Sequence, residues 1–144
     1  MVASLNDVYE FIATEVANDP YLTSINHNTI WSHQAPEMAR TPYFIMHKQT
    51  GGFNFTLNSG RAYDQNMITI KSVTEANHSS GDGGALGRDA MSRLRELIVF
   101  QRPTLSSGYT MVIQENNDFE YREAESGNVL IYHVGIVFRI MLGH

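Results

Sequence analysis

Six histidines, His27, His33, His47, His78, His133 and His144, are the side chains best suited to metal binding or proton transfer. Their spacing argues against a metal site, because no two stand four apart as helix-borne zinc ligands do. With no cysteine in the chain, thiolate and disulfide chemistry are excluded outright. His47 and His133 fall on segments that read as strands and could face one another beside Tyr132 or Tyr43, although hydrogen-bonded sheet histidines are the simpler reading. Serines at 59, 79, 80, 106 and 107 lack the Gly-x-Ser-x-Gly elbow and a base placed to activate them. The run Gly81-Asp82-Gly83-Gly84-Ala85-Leu86-Gly87 opens a helix, where free amides favour anions. A phosphate loop, however, needs lysine followed by serine or threonine where this chain has Arg88-Asp89. It reads as a turn capped by Ser80 or Asp82. Glu120, Glu123 and Glu125 stand in a hydrophilic stretch that leaves them ordinary acids. These patterns predict no catalytic residue, no metal and no cofactor.

A length of 144 residues suits one domain with one core, 1–144. The formal net charge of −5 weighs against binding the outside of nucleic acid. Arg88, Arg93, Arg95 and Arg102 do recur, but Asp82, Asp89 and Glu96 are interleaved with them, as on a solvated helix face with mixed ion pairs. No apolar stretch approaches the roughly 20 residues that span a bilayer. Residues Met1 to Asp7 lack a basic segment followed by a hydrophobic one. These features predict a soluble, unexported protein, and the lack of cysteine suits a reducing cytoplasm.

The elements that must position any site follow from periodicity. From Ser4, as N-cap, Leu5, Val8, Ile12 and Val16 mark one face of a helix, which Asn18-Asp19-Pro20 stops, and Tyr21 to Ile25 form a connector. Ile30–His33 and Tyr43–Lys48 read as strands, and a third runs from Tyr63 to Val73. A second helix emerges from the glycine turn and runs to about Phe100, burying Leu86, Ala90, Met91, Leu94, Leu97 and Ile98; Pro103 ends it. Met111–Glu115 is a strand, followed by an exposed acidic segment. In the last strand Leu130, Tyr132, Val134, Ile136, Phe138, Ile140 and Leu142 make one unbroken apolar face, while Ile131, His133, Gly135, Val137, Arg139 and Met141 make a mixed one. The expected fold is α+β, a mainly antiparallel sheet with two helices packed on one face, in the order α-β-β-β-α-β-β.

One segment has no obvious place in that core. Between Gln49 and Arg61 lies a glycine-bracketed aromatic stretch that reads as an extended loop or hairpin, about 49–62. Standing away from the domain, Phe53, Phe55, Leu57 and Tyr63 would form an apolar stripe of the kind that marks a subunit interface. Folded back, the same residues would cap the sheet edge of their own subunit.

Taken in order, the N-terminal helix, the Arg40-Thr41-Pro42-Tyr43-Phe44-Ile45 lead-in to a strand, the long loop, the Gly-rich turn before a helix ending Leu94-Arg95-Glu96-Leu97-Ile98, and the final Tyr132-His133-Val134-Gly135-Ile136-Val137-Phe138 strand resemble the tail-terminator, or tail-completion, proteins of long-tailed bacteriophages. The likeness spans nearly the whole chain and rests on order and spacing, with Pro-Tyr and His-x-x-x-x-Phe as its local signatures. It implies a non-enzymatic virion protein that forms a ring with copies of itself, typically a hexamer, on the end of the tail tube. The ring would stop polymerisation of the tube protein and offer a docking face to the head connector or neck protein. DNA would pass through without specific binding and no membrane would be involved. The protein would be assembled in the host cytoplasm and reside in the virion tail. Glu115, Asp118, Glu120, Glu123 and Glu125 are candidates for a lumen or partner face. Two other readings stand beside it: another head–tail joining protein of the neck or head-completion type, and a small α+β ligand-binding protein or enzyme with His47, His133, Tyr132 and Asp64 around a pocket.

Overall fold

A computed structural model describes residues 5–56, 60–77, 83–99, 101–106, 108–124 and 129–143, with the main chain alone for 50–56, 60–64 and 76–77. Ser4, Ser80, Asp82, Leu57, His78, Glu125 and His144 lie outside the described residues. The elements run α1 (Leu5–Asn18), α2 (Pro20–Ser24), β1 (Ile30–Ser32), β2 (Tyr43–Thr56), β3 (Gly60–Asn77), α3 (Gly83–Ile98), β4 (Thr110–Ala124) and β5 (Val129–Gly143).

α1 buries Val8, Ile12 and Val16, the stripe its spacing requires. The expected connector after it is a short helix, because Pro20 sits at a first-turn position that needs no amide and Asp19 accepts a hydrogen bond from the Leu22 amide at 3.0 Å as its N-cap. Asp19 is buried and also bound by the Arg93 guanidinium from α3, with Nη2 at 2.6 Å from Oδ1 and Nε at 3.1 Å from both carboxylate oxygens. The guanidinium is the main reason the Asp19 carboxyl lies below the usual carboxylate range, against the opposing effect of burial. One buried carboxylate thus ties the α1–α2 corner to the second long helix.

The sheet has five strands in the order β1-β2-β3-β5-β4. It is mixed rather than wholly antiparallel, since β1 runs parallel to β2 over Ile30–Ser32 and all other pairs are antiparallel. The helices cluster on one face and share a core with Phe44, Met46, Ile68, Ile70, Met111, Ile113 and the even-numbered residues Val134 to Leu142 of β5. Each large side chain fully buried here, such as Phe138 or Ile140, contributes about 1.5–3 kcal/mol. The glycine run serves close packing: a Cβ on Gly87 would stand 3.0 Å from Val134 Cγ2, and Thr74 Oγ1 donates to the Gly83 carbonyl at 2.6 Å. α3 therefore rests its first turns directly on β3 and β5.

One segment takes one of its two sequence readings and another differs from its reading. Of the loop and hairpin readings of Gln49–Arg61, the described residues take the hairpin, with Thr50 to Thr56 of β2 paired to Met67 to Gly60 of β3. The acidic segment after Glu115 is strand, continuing β4 to Ala124 along β5. A bulge between Glu115 and Asn117 interrupts the ladder, and the strand beyond it is mostly exposed. Only Phe119 and Tyr121 alternate with the charged residues around them there, a pattern too short to mark a strand of this length.

Candidate functional site

Register assigns each chemically capable residue to a face. Phe44 pairs with Ser72, Ser72 with Val134 and Val134 with Glu120, so this row lies on the helix side. Tyr43, Val73, His133 and Tyr121 form the adjacent row on the helix-free side. His47 pairs with Thr69 and Thr69 with Val137, also on the helix-free side. His47 and His133 thus share a face but stand four residues apart in register and two strands across, about 13 Å by 10 Å. Tyr132 pairs with Thr74 and points to the opposite side from His133. The pocket expected for a small enzyme is not assembled from these side chains, and the side chain of Asp64 is not described. Among the described residues, no group of three or more His, Cys, Asp or Glu could hold a metal.

His27 reaches into the core instead, its Nε2 2.7 Å from Ser72 Oγ and its ring centroid 4.1 Å from that of Phe44. Burial pushes its pKa down to about 4, so at neutral pH it is a neutral structural imidazole. His47 is likewise held below its ordinary value, chiefly by burial and then by Lys71 and His33.

On the helix-free face, His133 stacks on Tyr121 at 4.4 Å, and Tyr121 on Phe119 at 6.1 Å. Lys71 Nζ donates to the Tyr121 hydroxyl at 3.2 Å, and Glu123 Oε2 lies 3.6 Å from His133 Nε2. Burial, then Lys71, hold the imidazole below its ordinary pKa against the opposing pull of Glu123. Phe119 lies over Gly135 so closely that a Cβ there would collide with its ring and stand 2.9 Å from Lys71 Cβ. This aromatic ladder is a built surface with Tyr121 43% exposed.

The candidate acids divide between the faces. Glu120 accepts from Arg88 at 2.5 Å and Glu115 is bound to Arg95, both across the gap between β4 and α3. Asp118 lies between them on the helix side, whereas Glu123 is on the other side beside His133. Glu115, Asp118, Glu120 and Glu123 therefore do not form one acidic face. Between the two Arg–Glu bridges runs a groove of about 310 Å³ floored by Met91, Val134 and Ile136, with Ser92 and Asp118 in its walls. Sequence reasoning missed this groove. The arginines stand two helical turns apart on one side of α3, a legible signal. Glu115 and Glu120 are five residues apart, a spacing that places them on opposite sides of a regular strand; only the bulge brings them to one face.

Phe53, Phe55 and Tyr63 lie on the distal part of the β2–β3 hairpin, where Phe53 pairs with Asp64, Asn54 with Tyr63 and Phe55 with Arg61. β5 ends at Gly143 opposite Tyr63, so the main chain of the hairpin runs on past the end of β5. β1 covers β2 only as far as Met46. The outer edge of the hairpin beyond that point has no paired strand among the described residues, and neither has the outer edge of β4 beyond its contacts with Pro103 and Thr104. Among the described residues, no helix is long and apolar enough to cross a membrane.

No family model matches the chain, and no curated protein sequence matches it. Its fold is shared with solved structures. A chain from the virion of a native gene transfer agent particle matches over 92% of each chain, with a TM-score of 0.66 and 14% identity. A second solved structure matches over 99% of this chain and 98% of its own, with a TM-score of 0.59 and 9% identity. At these identities the likeness is one of architecture.

Proposed function

We propose that this chain is a structural component of a phage-like virion, a tail terminator that forms a ring on the end of the tail tube, ends tube growth and joins the tail to the head connector. The observation that carries this reading is the shared fold with a chain of a virion over 92% of both lengths. The physical features suit the role. Among the described residues the sheet has a stretch of edge without a paired strand on each side; such edges can meet copies of the same chain, and a head-to-tail contact repeated by rotation closes into a ring. The hairpin bearing Phe53, Phe55 and Tyr63 reaches a neighbouring subunit in this reading. The net charge of −5, multiplied around a ring, lets DNA pass without adhering. Function is then performed by edges and surfaces, not by a reactive centre, and the ring is a hexamer assembled in the host cytoplasm.

Mass measurement across a concentration series, with negative-stain imaging, tests the ring. Mixing with purified tube protein separates a terminator, which binds the tube end, from a neck or head-completion protein, which binds the connector alone.

A further inference from the structure

The helix-free face of the sheet carries an apolar layer of its own. Val73 and Val137 are buried there, apart from the core that the helices share. Around them stand the part-exposed Trp31, Ile45, Met67 and Phe119. Trp31, Ile45, Gly135 and Phe119 share one row across β1, β2, β5 and β4, with Lys71 of β3 inside it. Thr69 Oγ1, Arg139 Nε and both ring nitrogens of His133 are buried on this face with no hydrogen-bond partner. An antiparallel sheet can leave one face to water, but that face is then polar and lacks a row of this kind.

The charges of the face are unmatched and ordered along the strands. Arg139 of β5 has only Asn116 Oδ1, 3.4 Å from its Nη2, and no carboxylate partner among the described residues. Arg88, Arg93 and Arg95 on the helix side each have one. At the other end of the face Ile131 of β5 is flanked by Glu75 of β3 and Glu123 of β4. Glu75 is exposed with no ion pair among the described residues, and Glu123 faces only His133, at 3.6 Å, an imidazole kept neutral at pH 7 chiefly by burial. The apolar row lies midway, about 13 Å from the arginine and about 13 Å from the two acids.

A half turn of a second copy about the line of that row reverses its strands and lays β5 over β5. Arg139 of each copy then falls on Ile131 of the other, between Glu75 and Glu123, which stand about 4.8 Å to either side. Packed sheets lie about 10 Å apart, a gap that facing arginine and glutamate side chains span. Lys71 avoids its counterpart, because its ammonium leans across β5 to the Tyr121 hydroxyl at 3.2 Å. A half turn about β5 itself would set Arg139 on Arg139, so the charges select the first axis.

We infer that the helix-free face is a docking surface for a second copy of this chain, paired across a two-fold axis along the Trp31–Ile45–Gly135–Phe119 row. The contact is isologous and closes at two copies. It uses a face and leaves the sheet edges free, so it goes beyond the ring reading and does not depend on it. The face measures about 27 Å along the strands and about 19 Å across four of them, roughly 500 Å² per copy, at the small end of specific interfaces. The pair is therefore weak, forming at micromolar concentrations and above, and is loosened by salt.

Sedimentation velocity over a micromolar to millimolar series tests it. Wild type is expected to pair reversibly. R139E, and separately the double variant E75R/E123R, should each raise the dissociation constant about tenfold or more, because like charges then face one another. Mixing the two variants should restore pairing, since both contacts of the mixed pair again join opposite charges. An unchanged denaturation midpoint verifies that each variant folds. Wild type that stays monomeric throughout, which would assign the face to another partner, overturns the inference. So does either variant pairing as tightly as wild type, or a failure of the two folded variants to pair on mixing. Negative-stain images of the same samples separate this contact from the ring: rings formed by R139E while its pairing weakens support it, and rings lost in step with pairing overturn the assignment to the face.

Discussion

Replacing the buried imidazole of His27 by glutamine should remove a defined part of the protein's acid sensitivity. In the unfolded chain this group takes up a proton near its ordinary 6.5, and in the folded chain only near 4. Between those values the unfolded state binds more protons, so stability falls as pH drops through 6.5 towards 4 and is nearly unaffected by this group above about 7.5. From pH 7.5 to 4.5 the two values correspond to a loss of about 2.5 kcal/mol, a large share of the 5–15 kcal/mol typical of a domain. Glutamine does not titrate and can still hydrogen-bond Ser72, so H27Q should lose about 2.5 kcal/mol less than wild type over the same interval. His133 and His47, also held below their ordinary values, remain in both proteins and cancel in the comparison. Urea denaturation followed by the fluorescence of Trp31, the one tryptophan, gives the four stabilities required. Equal pH dependence in the two proteins would refute the claim that His27 is kept neutral by burial.

Replacing Asp19 by alanine removes the cap of α2 and leaves Arg93 without its buried partner. About 2–3 kcal/mol should be lost in denaturant titration, the arginine's partial exposure keeping the cost below that of a wholly buried pair. Gly135→Ala forces Phe119 and Lys71 apart, and a destabilisation of about 1–3 kcal/mol is expected from thermal unfolding, with Phe119→Ala restoring part of it in the double variant. Phe53→Ser with Phe55→Ser should leave the unfolding midpoint near wild type while weakening assembly in sedimentation; unchanged assembly would remove the hairpin from the interface.

The strongly patterned elements were legible because burial on one side imposes a period. The stripe Val134 to Leu142 on β5 and the stripes of α1 and α3 all face the common core. β4 beyond Glu115 was not, since water meets most of it and its bulge erases the period. The direction of β1 was hidden because three residues carry too little pattern to orient a strand, and the connection that makes it parallel is polar. α2 was encoded locally, in Asp19-Pro20, but its five residues are shorter than any periodic signal. His47 and His133 were placed on strands correctly, and their separation depended on register, which the long hairpin sets. The surfaces resisted sequence reading most, because the α3–β4 groove joins residues far apart in the chain.

The role itself is tested most directly by adding the purified chain to polymerising tail-tube protein of the same particle and measuring tube lengths and ends by electron microscopy. A terminator shortens the tubes in proportion to its concentration and places a ring at one end of each. Tubes of unchanged length, with no protein at either end, would contradict the account.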